Sequence, residues 1–531
     1  MTATHPVLRF GDSAFHVQVS SMQEAHGLAW AIERQDWPSV EEVVVGFLTV
    51  TVVGDPDRAS LDELADRAAA LRPAQQGELP PRTIEIPVAF DGPDLHEVAE
   101  RAGMTPTDVV ASMVGSKLVV AMVGFVPGFG YLVGLPEPLA RVPRRATPRS
   151  RVEAGAVALG GGYAGVYPVS TPGGWQVVGH TATRLFDREA PPFAVLRPAD
   201  RIRFRSVERV EMETDLRRAR LTVGGGVPSV HVVRPGSLTT VQDRGRIGFA
   251  ALGVPRAGAA DAHSARLANR AVGNLDEAAL VEMTLRGATL RLEANRCVAL
   301  VGDADIAIDG RSAARGAVHP VAAGQIIEVG EIGPGPRAYL AFSGGVEIPP
   351  VLASRSSDLL CGLGPGPLVA GDELALGEPG RARGRFESPE RSTVLRVLRG
   401  PDATGEEAWT TIATASYVVG PRSDRTGVQL EPEASLPTLN AVAGSVAMVT
   451  GAVQLPPDGH LIALGVDHAT LGGYPVVATV VSADLSRLGQ LRPGDTVRLE
   501  QVDPITAAQL RHEREASLGR SVQGWYPVQA G

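Results

Sequence analysis

Tyr167-Pro-Val-Ser-Thr-Pro-Gly-Gly-Trp175, with Arg197-Pro-Ala-Asp-Arg-Ile-Arg-Phe204-Arg-Ser-Val207-Glu208 following it, recurs late in the chain as Val466-Asp-His-Ala-Thr-Leu-Gly-Gly-Tyr474 and Arg492-Pro-Gly-Asp-Thr-Val-Arg-Leu499-Glu-Gln-Val502-Asp503. In each copy a Gly-Gly pair lets the backbone turn tightly or approach a ligand, and an aromatic residue follows. An Arg-Pro-x-Asp turn then launches a closing strand that alternates with period two. Two copies of one β-barrel explain both passages, so the fold class is mainly β with α+β additions, built as two tandem barrel modules.

Working outward from the first copy, residues 1–80 read as a small α/β unit. Ser60 and Glu63 form a capping box ahead of Leu61, Leu64, Ala65, Ala68 and Leu71, Pro73 stops that helix, and residues 43–53 make one buried strand. After the joint Leu79-Pro80-Pro81, residues 81–207 hold the first barrel, with a strand at 83–90 and two short helices, the second starting at Thr105-Pro106 with Asp108 in its first turn. Residues 208–228, with Gly224-Gly225-Gly226, read as a linker. Residues 229–380 form the first part of the second module, with helices expected at 260–273, ending at Gly273-Asn274, and at 276–283. Short strands then continue to Val502. A break at 377–392 separates a closing β part, 381–515, from a tail, 516–531.

Composition limits the function. The 531 residues are 44% hydrophobic and 21% charged, and 61 Gly and 41 Pro imply many turns and few long helices. A formal net charge of −9 argues against nucleic acid or an anionic membrane as a partner. Cys297 and Cys361 stand far apart without companion ligands, so neither a disulfide framework nor a metal site is expected. Residues 1–10 lack the pattern of a secretory signal and the apolar run 118–126 is too short to span a bilayer, which predicts a cytoplasmic protein. Lys117 is the only lysine; it has no P-loop around it and no flanking methionines of the kind that mark a biotin-accepting lysine, so covalently attached biotin is not expected.

Several segments have the residue types for chemistry. Phe125-Val-Pro127-Gly128-Phe129-Gly-Tyr131 offers an aromatic wall beside exposed amides, or a hairpin turning into the core. Arg144, Arg145, Arg149 and Arg151 crowd a proline-bounded loop that could hold a carboxylate or phosphate through bidentate hydrogen bonds, or simply be a solvated basic loop. Asp243-Arg244 and Asp424-Arg425 each stand at a glycine turn, where a carboxylate could orient the arginine, act as a base, or simply close its own turn. Asp467 and His468 precede Gly472-Gly473-Tyr474. Asp303, Asp305 and Asp309 have the wrong spacing for a calcium loop.

At residues 125–132, Pro143-Arg-Arg-Ala-Thr-Pro-Arg149, Thr171-Pro-Gly173-Gly174-Trp175 and Gly179-His180-Thr181, the first half resembles the allophanate hydrolase subunit 1 family, which includes kinase A inhibitor proteins. The second half resembles the subunit 2 family at Thr239-Thr-Val-Gln-Asp-Arg-Gly-Arg246, Ala268-Asn269, Val272-Gly-Asn274, Ser423-Asp-Arg425 and Gly472-Gly-Tyr-Pro475. The resemblance implies cyclophilin-like barrels in both halves and the B and C components of ATP-dependent 5-oxoprolinase. With a separate A subunit, such components open 5-oxo-L-proline to L-glutamate, using ATP with Mg2+. On this view Arg144, Arg145, Arg149 and the Asp-Arg turns line a cleft between modules with the glycine pairs, His180 and Asp261, and a homo-oligomer is possible. The chain departs from the family at Met113, where a histidine usually falls nearby, at Tyr163 for Gln, at His180 for Arg and at Leu471 for Thr. The run Ala257-Gly-Ala-Ala-Asp261 also replaces Ser-Gly-Ala-Met-Asp. Two other readings follow from the same resemblance: a biotin-dependent carboxyltransferase component acting on a small amide or urea-like substrate, and a histidine-kinase inhibitor fused to its antagonist.

Overall fold

The computed structural model describes residues 5–75, 82–211, 228–403, 405–439 and 444–523. Its N-terminal unit is an antiparallel sheet in the spatial order Val7–Phe10, Ala14–Gln18, Thr49–Gly54, Val40–Val45. Phe15, Val17, Val43, Val45, Val50 and Val52 pack under the helices Met22–Glu33 and Leu61–Ala69. On the other face, Phe10 and Ala14 meet Val446, Met448 and Val476, and Val44 joins a core shared with the first barrel. Burial on both faces makes the sequence here almost continuously apolar. The single strand expected at 43–53 is instead a hairpin, because Gly46 turns back to bond the Thr49 carbonyl (2.8 Å) and the Phe47 amide leaves to bond the Ser445 carbonyl (2.9 Å). The helix begins after Ser60 as expected, but the Ser60 side chain makes no capping bond.

Both repeated passages lie in barrels of one topology. In the first, the strands run Thr83–Val88, Arg201–Ser206, Leu118–Val123, Gly130–Val133, Tyr163–Val166, Ala156–Gly160, Gln176–His180, and an Ala89 to His180 bridge nearly closes the ring. In the second, Val394–Arg399, Thr496–Gln501, Ser416–Val419, Gly427–Pro432, Leu461–Leu464, Ala452–Gln454 and Val476–Val480 close completely. Each final strand pairs in parallel with its module's first, Arg201 opposite Thr83 and Arg498 opposite Val394. The launching turns match: Asp200 accepts from the Arg197 amide and Asp495 from the Arg492 amide, both at 2.8 Å. Alternation sends Ile202 and Phe204 into one interior and Val497 and Leu499 into the other. Thr105 and Asp108 form the expected capping box at Pro106–Gly115.

Between the barrels, a seven-stranded and a five-stranded sheet share one core built on Val230, Val281, Leu290, Val298, Ile327 and Leu340. The helix expected at 260–273 is Ala262–Ala271, with Gly273 in the left-handed region at φ 79°. The one expected at 276–283 is a turn and the strand Leu280–Thr284: Asp276 is taken by Arg266 and Arg270, and Leu280, Val281 and Met283 are wholly buried. The helix Glu406–Thr414 arises where only strands were expected, and a second, Pro504–Arg520, follows the last expected strand and runs across the boundary placed at 515. Arg385–Phe386 pairs with Val522–Gln523 and Phe386 packs near the helix Ala262–Ala271, so the chain just past residue 380 still serves the second module's first part. The Leu79-Pro80-Pro81 joint, the triple glycine of the linker and residues 524–531 of the tail lie outside the described residues.

Candidate functional site

The aromatic segment turns into the core. Phe129, Tyr131, Tyr167 and Trp175 are buried, and Phe129 meets Phe125, Tyr131, Tyr167 and Trp175 edge-on with centroids 5.1–5.6 Å apart. Tyr163, at the position of the usual glutamine, stacks on Trp175 with an interplanar angle of 11°. Burial pushes the Tyr131 hydroxyl far up its scale and that of Tyr167 up to about 12, so both stay protonated. Gly173 is a packing glycine: a Cβ there would stand 2.4 Å from the Tyr167 hydroxyl. Pro127 lies in the loop before Gly128, whose amide crosses to the second module and bonds the Leu252 carbonyl (2.8 Å).

The arginine loop divides its members. Arg149 grips Asp94 through two bonds of 2.7 and 2.8 Å, and Arg145 reaches the same carboxylate at 3.1 Å. The Arg145 amide also bonds the Gly174 carbonyl (2.7 Å). Burial alone would raise the Asp94 pKa, but Arg149, the Val177 amide and Arg145 outweigh it and hold the carboxyl below its usual range. Arg144 is exposed, with its guanidinium 5.9 Å from the Trp175 ring centre, and no hydrogen bond or ion pair engages it among the described residues. His180 pairs with Asp91 at 2.8 Å on the rim of the same barrel.

Asp94 escaped the sequence reading, although a signal for it exists. Gly92-Pro93-Asp94 opens the first barrel and Gly400-Pro401-Asp402 the second. In each, the carboxylate accepts an amide from a strand of its own barrel, Val177 (2.7 Å) or Val476 (2.9 Å). It is a third repeat.

The two Asp-Arg pairs do not pair internally. Asp243 accepts from the Gly245 and Arg355 amides and the Ser354 and Ser356 hydroxyls at 2.5–2.8 Å, which ties the 351–364 segment to its own turn, while exposed Arg244 faces Glu41 of the N-terminal unit at 3.7 Å. Asp424 closes its own turn on the Thr426 amide (2.7 Å). Arg425 is buried and points elsewhere, with two bonds of 2.9 Å to Asp467, one of 2.6 Å to Glu282 and one of 2.7 Å to the Gly258 carbonyl. Burial opposes ionisation of Glu282, but Arg425 and Arg337 outweigh it and hold the carboxyl below its usual range. Asp261 caps the helix Ala262–Ala271 through Ser264 and accepts from Gln490 (2.9 Å). Gly472 abuts Gln454 and Met448, whereas Gly473 and Tyr474, 46% exposed, face solvent. Leu471, in place of the usual threonine, packs over Gly124 at the contact between the barrels. Met113 is buried in the first barrel's core.

The expected arginine-lined cleft is thus distributed. Arg145 and Arg149 serve the first barrel, Arg425 serves an ionic core of the second module, and Arg144 presents its guanidinium over the Trp175 ring. An open groove of about 810 Å³ lies instead on the seven-stranded sheet, bordered by Arg234, Arg286, Asp305 and Glu328. Among the described residues no group of three or more His, Cys, Asp or Glu side chains is placed to hold a metal ion, and no helix is long and apolar enough to cross a membrane.

With this geometry in place, comparison with known proteins is specific. Residues 5–196 match the family described as carboxyltransferase domain, subdomain C and D, and residues 252–501 match carboxyltransferase domain, subdomain A and B. The first half is 42% identical over 181 residues to the B component of 5-oxoprolinase from Escherichia coli O157:H7, covering 33% of this chain and 83% of that protein. The second is 31% identical over 297 residues to the C component of 5-oxoprolinase from Escherichia coli K12, covering 54% of this chain and 94% of that protein. A crystal structure of TTHA0988 superposes with a TM-score of 0.81 at 34% identity, covering 92% of this chain and 99% of that one. The chain belongs to the family of 5-oxoprolinase B and C components, with the B-like and C-like parts fused in that order.

Proposed function

We propose that this chain is the fused B and C component of an ATP-dependent 5-oxoprolinase, acting with a separate A subunit to hydrolyse 5-oxo-L-proline to L-glutamate. The observation that carries this reading is the presence, in one chain, of near full-length likeness to both components. The lactam is a stable amide, so coupling to ATP is chemically reasonable if its oxygen is phosphorylated before water attacks. Developing charge in such a reaction needs donors, and Arg144 is the guanidinium of the arginine loop that this chain leaves without an ion-pair or hydrogen-bond partner. Mg2+ bound with ATP keeps several waters and takes one or two protein carboxylates beside the phosphates, and we assign that site to the complex with the A subunit. Mixing the purified chain with a candidate A subunit, ATP and 5-oxoproline should release glutamate and ADP in equal amounts. Glutamate absent with every A subunit tried would reject the reading.

A second reading, carboxyl transfer, is favoured by the description of the matched domains. It requires a biotinylated carrier on another protein, since Lys117 stands without flanking methionines. Carboxybiotin-dependent labelling of a small amide by the chain plus such a carrier, with no glutamate formed from 5-oxoproline, would select it.

A further inference from the structure

The groove of about 810 Å³ crosses the solvent face of the seven-stranded sheet, and a volume of that size suits a small ligand. Its two ends differ in charge, with Arg234 and Arg286 at one and Asp305 at the other. The strand register sets their spacing. Arg286 bridges to Glu331 in the strand Ile326–Ile332; on that strand's other side, Asp305 falls opposite Gly330 and Glu331, between the pairs Ala304–Ile332 and Ile306–Val329. Two strand spacings, about 10 Å, therefore separate the backbones of Arg286 and Asp305.

Arg286 is the cation that the groove leaves open. Arg234 donates to the Thr289 hydroxyl (3.0 Å) and lies 3.9 Å from Glu328, whereas the exposed Arg286 side chain makes no hydrogen bond or ion pair among the described residues. A strained turn presents it. Leu285 adopts φ 62° and the Arg286 amide returns to the Thr284 carbonyl (2.8 Å), a conformation that leucine seldom enters. The turn is held from both sides, by the Leu285 amide on the Pro336 carbonyl and the Ile332 amide on the Leu285 carbonyl, each at 2.8 Å. At the other end, Asp305 gives Oδ1 to Arg315 (2.9 and 3.2 Å), and its Oδ2 accepts no hydrogen bond from the described residues. The floor between them carries no side chain at Gly287 and Gly330. A Cβ at Gly287 would strike Val329 at 2.3 Å, so packing requires that glycine; at Gly330 the nearest atom to a Cβ is the Asp305 carbonyl oxygen at 3.6 Å, so packing does not, and glycine there leaves the floor open.

We propose that this groove binds a short free peptide of about three residues, extended across the strands, with its terminal carboxylate on Arg286 and its terminal ammonium on Asp305. An extended residue spans about 3.3–3.6 Å, so three of them cover about 10 Å and match the distance between the two charges. The site reads the two ends of the peptide. Between them the ligand lies over glycine, so small side chains in the middle go unspecified. An inorganic phosphate or a dicarboxylate suits the groove less well, because Glu328 and Asp305 oppose a second negative charge. The inference stands apart from the reaction proposed above and holds whichever reaction the chain serves.

The test is calorimetric binding by the full chain at neutral pH and low salt, with trialanine, its N-acetyl form, its C-terminal amide, free alanine and inorganic phosphate as probes. Trialanine should bind roughly fivefold more tightly than either capped form, the loss expected when one exposed ion pair is removed. Free alanine cannot reach both ends and should be weaker by at least as much. Arg286→Gln should bind trialanine and its amide equally while still preferring the free amino end. Asp305→Asn should do the reverse, binding trialanine and its N-acetyl form equally while still preferring the free carboxylate. Both side chains are exposed, so these variants keep the fold, and unchanged melting temperatures verify it. Gly330→Leu fills the floor and should abolish binding of every peptide probe. No saturable trialanine binding below about 10 mM, equal affinity for free and capped peptides, end preferences unaltered in both variants, or tighter binding of phosphate than of trialanine overturns the proposal.

Discussion

Asp424 and Arg425 are chain neighbours with different tasks. Asp424 stands in solvent and bonds two amides of its own turn, whereas Arg425 is buried and neutralises both Asp467 and Glu282. Removing one partner of a buried ionic group leaves the others uncompensated, at a cost of about 3–5 kcal/mol, while an exposed turn carboxylate is worth about 1 kcal/mol or less. Arg425→Met should therefore lower the unfolding free energy by that larger amount in urea melts, and Asp424→Ala should barely change it. The adjacency of Asp, Arg and Gly was legible in the sequence. The selection of Asp467, 42 residues away, as the arginine's partner was not, because it depends on how the second barrel closes against the preceding sheets.

Elements record which of their signals were local. The helix Glu406–Thr414 starts after Gly405 without a side-chain cap, and Pro504–Arg520 buries only Ala507 and Leu518, so neither advertises an apolar stripe. Asp503-Pro504 was nevertheless a readable start, since the Asp503 side chain accepts from the Ile505 and Thr506 amides. In the N-terminal sheet, His16 lies buried with Nδ1 2.8 Å from the Thr51 hydroxyl, and burial lowers its pKa to about 4. The unfolded chain then binds a proton at this site between about pH 6.5 and 4 that the folded one refuses, so stability falls as pH falls across that window. His16→Gln should recover about 2 kcal/mol of the stability otherwise lost between pH 7 and 5, measured by denaturant melts at each pH. In the first barrel, Gly173→Ala drives a methyl group against Tyr167 and should cost about 1–3 kcal/mol, with a change in near-UV circular dichroism from the aromatic cluster.

At the scale of the whole molecule, the duplicated barrel was legible because its marks are local: an Arg-Pro-x-Asp turn and an alternating strand survive in both copies. The docking of the parts was not, since contacts between surfaces distant in sequence leave no periodic trace. The N-terminal sheet touches both barrels through Val44 and Phe10, Glu42 accepts from the Gly248 amide (2.8 Å), and Gly128 bonds Leu252. Cutting the chain between residues 211 and 228 should therefore leave two fragments that co-purify in size-exclusion chromatography at moderate salt, held by apolar contact as well as by hydrogen bonds. Fragments that part under those conditions would show the link itself to be necessary for assembly.

One of these contacts constrains how the protein is made. Asp12 receives the Ser482 amide and hydroxyl across 470 positions of chain. A ribosome adding about 5–20 residues per second takes on the order of a minute to bridge that interval. Throughout it, the Phe10 and Ala14 surface has emerged while the residues that cover it do not yet exist, so the nascent first half must be shielded by holding factors or remain prone to clumping until translation ends.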